Sequence, residues 1–532
     1  MEKTVFVRRT SGLVRPYGAF DTTLIYTLVI FSILNTTVQF PWFWGFWPGA
    51  DIVGSLAFAL IPQGLLAVCY WAIACGMPRS GSDYVWFARI THPALGFAWG
   101  LVYWYWFVAV CVLATSFTYG YVISVTMFAW GTLYNNPGLV SFSSWLSGTD
   151  GSFYFAVVII AIYSAITILG HKAGKALLYT AWVIQILALI LMWGILGSTD
   201  PATFAAKWNA LMSNYVTYQG VLDLAKGQGW SLAPFSLAAT IGSASYTIFL
   251  MAGATQGAGT ISGEIRNVNR SIPIALMLAN VFAFFIWAFS AMAELHATTQ
   301  PWIVSLSWLW DNVPNKFPLP LPPSMPLMLG IATYPNQMLT LVTLGSFVLA
   351  NIAFVYVLLM CCSRYFFAWA FDRVMPTKLA DVNARFKTPH YAILATMIVL
   401  FISAYAYQYY GFSNWFGAGA TLMVLLFGAV ACTVAIFPFT KWKTLLDQLP
   451  TFMRKRIGIP IISWVGLITA AIMFYSAYSV TINPLMTSNV NLTAYWAIAG
   501  FIIGLVIYYI SKWYNNRQGI DISLIFKEVP PT

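Results

Sequence analysis

Apolar stretches of about twenty residues recur along this chain, separated by short polar gaps. A helix that crosses a bilayer needs about 20 mostly apolar residues. The stretches predict twelve spans, at 21–41, 52–75, 93–118, 152–169, 176–197, 236–261, 272–295, 337–360, 389–407, 413–438, 458–480 and 493–511. Almost nothing is left over for a soluble domain.

The gaps sort the charge. Of 26 Lys and Arg residues, 23 fall in alternate gaps, from Lys3, Arg8, Arg9 and Arg15 in the N-terminal arm to Lys512, Arg517 and Lys527 in the tail. The other gaps hold Lys207, Lys226 and Lys316. Loops rich in Lys and Arg stay on the cytoplasmic side. Both termini and residues 363–388 are therefore expected in the cytoplasm. A net charge of +11 invites a nucleic-acid reading, but the charge is spread over seven segments. Anionic lipid headgroups match that distribution better.

Composition agrees: 60% hydrophobic and 8% charged, against about 25% charged in soluble domains. Ionisable residues avoid the middle of the spans. Asp21 opens span 1, Glu294 closes span 7, and His92, His171, His296 and His390 sit at span ends. Glu294 is expected to reach the outer headgroups. This pattern excludes a haem-copper oxidase, a voltage sensor and a carboxylate-relay pump. The six cysteines form no CxxC or metal-ligand spacing and read as small buried hydrophobes. With no nucleophile–base pair or metal cluster, an enzyme is not expected. The first apolar run is too long for a cleavable signal peptide.

Two outer gaps are long. Residues 198–235 carry Trp208, Tyr215, Tyr218 and Trp230, and 296–336 carry Pro314, Pro318, Pro320, Pro322, Pro323 and Pro326, with the run PLPLPP at 318–323. The aromatic content predicts a packed cover, with the proline run as a rigid turn between short helices.

Glycine interrupts span 6. Gly253-Ala254-Thr255-Gln256-Gly257-Ala258-Gly259 puts three glycines into seven residues, which weakens a helix. Unwound backbone inside a membrane is tolerated where it lines a cavity or is buried by protein, and broken spans point to a transporter site. Loss of helix within 253–259 is therefore expected, facing a cavity shared with 31–36. The alternative is close helix packing through Gly253-xxx-Gly257. The partner break in span 1 would lie at Phe31–Thr37, where Asn35, Thr36 and Thr37 can satisfy loosened backbone.

Three segments carry a family resemblance. After span 2 the chain reads MPRSGSDYVWFARITHPALGFAWGLVYW (77–104). After span 6 it reads GEIRNVNRSIP (263–273). After span 8 it reads SRYFFAWAFDRVMP (363–376) and then Lys387-Thr388-Pro389. In this order and at these topological places they resemble the amino acid–polyamine–organocation superfamily of permeases, over about residues 15–440. In physical terms, Ser80 and Gly81 turn the chain, and Tyr84–Phe87 form a helix against the inner face. Glu264 sits with Arg266 where span 6 leaves the membrane, and Arg364 is placed to pair with Asp372. Together with Arg79 these residues read as an architectural motif or a cytoplasmic gate.

The resemblance implies an all-α membrane protein of twelve helices. It would have a LeuT-like 5+5 inverted repeat plus two C-terminal helices, with helices 1 and 6 discontinuous. Its parts would be a cytoplasmic arm (1–20), a first five-helix repeat (21–197), an extracellular loop (198–235), a second repeat (236–438), helices 11 and 12 (439–511) and a cytoplasmic tail (512–532). Substrate would sit against Ser32, Ile33, Leu34 and Asn35 of span 1 and Ala254, Thr255, Gln256 and Gly257 of span 6. Two positions depart from the family. Ser32, Ile33 and Leu34 replace its Gly-[Ser/Ala]-Gly motif, and Gln185 stands where some proton-linked relatives have Lys. The implied activity is secondary active transport of amino acids or organic amines across the plasma membrane by alternating access. An uncoupled exchanger or facilitator, and a non-transporting ligand sensor, are the alternatives. The expected partners are the small-molecule substrate and the lipid bilayer, with no nucleic acid and no cofactor. Na⁺ and H⁺ both stay open as coupling ion, and oligomeric state has no signature in the sequence.

Overall fold

The computed structural model describes residues 12–30, 46–352, 354–411, 416–483 and 490–529. The spans correspond to α1 (Ala19–Ile30), α2 (Ile52–Gly76), α4 (Pro93–Phe117), α7 (Thr149–Ile168), α8 (His171–Gly197), α11 (Leu237–Thr260) and α12 (Val268–Thr298). They continue with α15 (Gln337–Ile352) and α16 (Phe354–Phe371), which make one span, then α17 (His390–Tyr409), α18 (Phe416–Ile436), α19 (Ile461–Thr481) and α20 (Val490–Arg517). Among the described residues ten helices are long and apolar enough to cross a membrane. α1 and α11 are not among them: α1 is described only as far as Ile30, and α11 is rich in Gly, Ala, Ser and Thr.

Between spans lie α3 (Ser82–Ile90), α5 (Ser124–Leu133), α6 (Pro137–Ser147), α9 (Pro201–Met212), α10 (Tyr218–Gly227), α13 (Gln300–Asn312) and α14 (Met325–Thr333). A π-helical turn at Thr118–Ile123 carries α4 into α5, so span 3 is longer than the hydropathy suggests. A two-residue hairpin, β1 (Arg456–Ile457) and β2 (Ile459–Pro460), precedes α19. Local chemistry sets the boundaries. His92 caps α4 through Nδ1 to the Ala94 amide, with Pro93 at the first helical position. Asn136 and Asp200 cap α6 and α9 in the same way.

The Lys/Arg-rich segments gather at one end of the bundle, the basic end, where they are tied together through side chains described below. α11 runs through the centre, packed against α1, α2, α12, α16, α18 and α19. α16 is enclosed along almost its whole length, with every residue from Phe354 to Ala370 buried. α20 instead presents Tyr495, Ile498, Ile502, Val506, Tyr509 and Trp513 outward, the surface of a helix that faces lipid.

Two expectations need correction. α11 is continuous from Leu237 to Thr260 and does not unwind within 253–259. Gly257 lies beside α16, where a Cβ would meet Cys361 Sγ in ordinary contact at 3.8 Å, and the close approach on this helix is at Gly242, where a Cβ would meet the Trp47 ring nitrogen at 2.5 Å. A glycine costs a helix about 1 kcal/mol, whereas a buried backbone group stripped of its partner costs about 1–3 kcal/mol. In an apolar bundle the helix therefore holds. The paired break in helix 1, at 31–37, lies outside the described residues. Glu294, for its part, does not reach out of the bundle. It is 1% exposed, and neither carboxylate oxygen has a hydrogen-bond partner among the described residues. The reason is the roof over that end of α12, built by α9, α10 and α13.

That roof is the packed cover the aromatic content predicts. Trp302 of α13 stacks on Tyr218 of α10 at 4.8 Å and meets Trp208 of α9 edge-on at 4.8 Å. The Tyr218 hydroxyl donates to the Thr298 carbonyl at the end of α12. Lys207 donates to the Ala332 carbonyl at 2.6 Å and so joins α9 to α14. The proline run lies between α13 and α14, as expected.

Candidate functional site

The three motif segments converge at the basic end. Gly81 takes φ +74°, a left-handed conformation that glycine adopts without strain. A Cβ there would sit 2.8 Å from Ala368 Cβ of α16. The turn holds the end of α11 by two hydrogen bonds. The Gly81 amide donates to the Thr260 carbonyl at 2.8 Å, and Ser262 Oγ donates to the Arg79 carbonyl at 2.9 Å. Beyond it, Tyr17 forms a parallel bridge with Ile265, so the N-terminal arm is pinned to the same place.

Ion pairs fasten this assembly. Arg364 of α16 grips Glu264 with both arms, Nε to Oε1 at 2.7 Å and Nη2 to Oε2 at 3.0 Å. The residues are 3% and 5% exposed. Planar bidentate pairing of this kind is the strong form of the interaction. Arg89 of α3 grips Asp372 at the end of α16, at 3.0 and 3.3 Å, and the Tyr84 hydroxyl donates to the same carboxylate at 2.9 Å. Arg89 also donates to the Glu528 carbonyl at 2.9 Å and lies over the Phe526 ring, which ties down the C-terminal segment. At the start of α1, Asp21 accepts from Lys175 of α8 at 2.8 Å and from the Tyr179 hydroxyl.

The expected partners are thus rearranged. Arg364 and Asp372 do not pair with each other. Eight residues apart on one helix, they are separated by about 12 Å of rise, too far for one contact. Glu264 reaches across to α16 and not to Arg266, which donates to the Arg15 carbonyl at 2.6 Å. Arg79 bonds the Pro78 carbonyl at 2.9 Å. Burial, with Arg15 and Arg89 nearby, pulls its guanidinium down to about 10. Motif reading alone did not single out Arg89 as the partner of Asp372. Its signal was present as the basic residue that follows the PRSGSDY stretch.

The expected substrate residues divide. Ser32, Ile33, Leu34 and Asn35 lie outside the described residues. Ala254 and Gln256 lie in the continuous backbone of α11, with their side chains outside the described set. Thr255 is buried, and its hydroxyl has no partner among the described residues. The same holds for Tyr26 of α1 and Ser243 of α11. Sealed, unpaired polar groups cost about 1–3 kcal/mol each; on α1 and α11 they face one seam, and Ser124, Ser164 and Thr343 are others elsewhere in the bundle. Toward the covered end, Trp47 meets the Tyr246 ring of α11 at a tilt, with centroids 5.7 Å apart, beside Gly242. A cavity of about 240 Å³ opens nearby, lined by Pro48, Trp230, Gln300, Val304 and Trp308.

No group of three or more His, Cys, Asp or Glu side chains that could hold a metal ion occurs among the described residues. The arrangement is that of a helical membrane protein with a polar seam at its centre and a charge-paired lock at one end. A family model described as amino acid permease matches residues 18–508, from the head of α1 into α20, and the chain belongs to that family, within the amino acid–polyamine–organocation superfamily of transporters.

Proposed function

We propose that this protein is a secondary active transporter that moves amino acids or related organic amines across the plasma membrane by alternating access. The observation that carries the reading is the double lock at the basic end. Glu264–Arg364 and Arg89–Asp372 join the end of α11, the α3 turn and α16, and these ties must part for a path to open there. Positive charge stays in the cytoplasm, so the basic end and both termini are cytoplasmic, and this conformation is closed to the cytoplasm. The segments 198–235 and 296–336 then cover the extracellular end.

Helix contacts support two inverted five-helix repeats, residues 21–197 and 236–438, followed by two further helices. A two-fold relation between repeats exchanges span 1 with 6, 2 with 7, 3 with 8, 4 with 9 and 5 with 10. Contacts occur in such exchanged pairs. α1 packs on α12 as α2 packs on α11, α4 on α17 as α7 on α16, and α1 on α8 as α11 on α18. With α1 and α11 counted, the spans number twelve. The substrate site lies on the α1–α11 seam, at Ser32, Ile33, Leu34 and Asn35 and at Ala254, Thr255, Gln256 and Gly257. The unpaired hydroxyls of Thr255 and Tyr26 are the groups a zwitterion or amine would satisfy there.

The test is counterflow in reconstituted vesicles, with and without an imposed ion gradient. Saturable exchange of labelled amino acid supports the reading, and gradient-driven accumulation supports active coupling. Exchange that no gradient accelerates would make the protein a facilitator. Ligand-dependent thermal stabilisation without any flux would make it a sensor.

A further inference from the structure

Four buried carboxylates sit at the basic end among the described residues, and three of them hold a cation: Asp21 with Lys175, Glu264 with Arg364, and Asp372 with Arg89. The fourth, Asp83, does not. It is 2% exposed on α3 and accepts from the Tyr365 hydroxyl of α16, at 2.8 and 2.9 Å, and from the adjacent Tyr84 amide at 3.1 Å. No Lys, Arg or His lies within ion-pair distance of it among the described residues. Of the arginines of the same assembly, Arg364 and Arg89 are taken by Glu264 and Asp372, and Arg79 bonds the Pro78 carbonyl.

The groups near Asp83 on the packed elements are neutral side chains at physiological pH. They are Tyr365 and Cys361 of α16, Tyr103 of α4 and Tyr70 of α2. α11 carries no charged residue. Tyr70 and Tyr103 share a hydroxyl hydrogen bond at 2.9 Å, and Tyr103 contacts the Tyr365 ring at 6.4 Å. A cluster of hydroxyls thus runs from Asp83 into the bundle. Burial pushes the Asp83 carboxyl up to about 7, against the pull of the Tyr365 hydroxyl and the Tyr84 amide.

We propose that Asp83 is a proton-binding site, occupied while the basic end is closed and emptied as it opens, and that the ion coupled to transport is therefore the proton. This rests on the reading of the basic end as a gate. Thermodynamic linkage gives the direction. Protons favour the state in which the carboxyl binds them more tightly. In the closed state Asp83 is desolvated and binds a proton tightly. Once α3 and α16 separate, water reaches it and it reverts toward the ordinary carboxylate value of about 3.9. Low pH therefore holds the gate shut; between about pH 4 and pH 7 opening releases one proton to the cytoplasm and becomes easier as pH rises, and above about pH 7 the closed state has already lost that proton and the gain levels off.

Hydrogen exchange of residues 82–90 and of the end of α11, in the protein reconstituted without substrate, tests the linkage independently of transport. After correction for intrinsic rates, protection in the parent should fall about tenfold between pH 6 and pH 8. Asp83→Asn should hold protection constant over that range. Tyr365→Phe, which removes a donor that favours the ionised form, should keep the transition but move it to higher pH. Flat protection in the parent overturns the proposal, and so does an Asp83→Asn profile that still falls. In vesicles, a pH gradient should drive uptake by the parent and not by Asp83→Asn, while a sodium gradient drives neither. Uptake driven by sodium alone refutes proton coupling. Absence of all flux refutes the transporter reading instead, and the exchange data still decide the role of Asp83.

Discussion

Removing one partner of the Glu264–Arg364 pair should destabilise the protein by about 3–5 kcal/mol, because a buried charge is left alone. Two unit charges about 4 Å apart at an effective dielectric of 20 attract by about 4 kcal/mol, which independently gives the same size. The geometry justifies the buried limit: both residues are nearly sealed, and both arms of the guanidinium are engaged at 2.7 and 3.0 Å. Glu264→Leu and Arg364→Met each break it. The double variant replaces the pair with apolar side chains and leaves no stranded charge, so it should be far more stable than the sum of the single losses. Equilibrium unfolding in mixed detergent micelles, fitted as a double-mutant cycle, measures the coupling directly. A coupling energy of about 2 kcal/mol or more is expected. Additive single effects, or single losses below about 1 kcal/mol, would refute the claim that this pair acts as a lock. The double variant should also lose protection at residues 262–265, since the apolar pair joins α11 to α16 without directional bonds.

Three further expectations follow from local geometry. Glu294→Met removes a carboxyl with no described partner and fills similar volume, so unfolding experiments should show stabilisation of about 1–3 kcal/mol; a loss would mean that a partner holds this carboxyl. Gly81→Ala forces a left-handed conformation worth about 1–2 kcal/mol on a side chain and adds a Cβ 2.8 Å from Ala368, so yield and melting temperature should fall together, and a neutral result would contradict the tight turn. Gln256→Ala should weaken substrate binding by about 1 kcal/mol or more, roughly fivefold, in thermal-shift titrations at unchanged expression; an unaltered affinity would remove Gln256 from the substrate site.

Hydropathy alone located ten helices long and apolar enough to cross a membrane among the described residues, because a bilayer demands continuous apolar length and leaves a composition signal in such spans. Motif order likewise identified the family, and aromatic content foretold the roof of Trp208, Tyr218 and Trp302. Tertiary structure decided what pairs with what. Arg364 and Asp372 share one short sequence segment, yet the helix holds them apart and hands each a partner from another segment, Glu264 and Arg89. Side-chain charge is local in sequence, but an ion pair depends on distances that only packing sets. The glycines of α11 make the same point. Read along the chain they suggest a break, because helix propensity is a per-residue quantity. In the bundle the helix nonetheless runs on to Thr260, because a dry environment penalises every opened backbone hydrogen bond. Asp83 is the clearest case. Nothing in PRSGSDYVWFAR distinguishes it from an ordinary polar residue on a short helix. Only the folding of α3 against α16 removes its water and leaves it without a cation among the described residues, and a carboxyl acquires an unusual affinity for protons through those two losses of stabilisation, neither of which a linear sequence records.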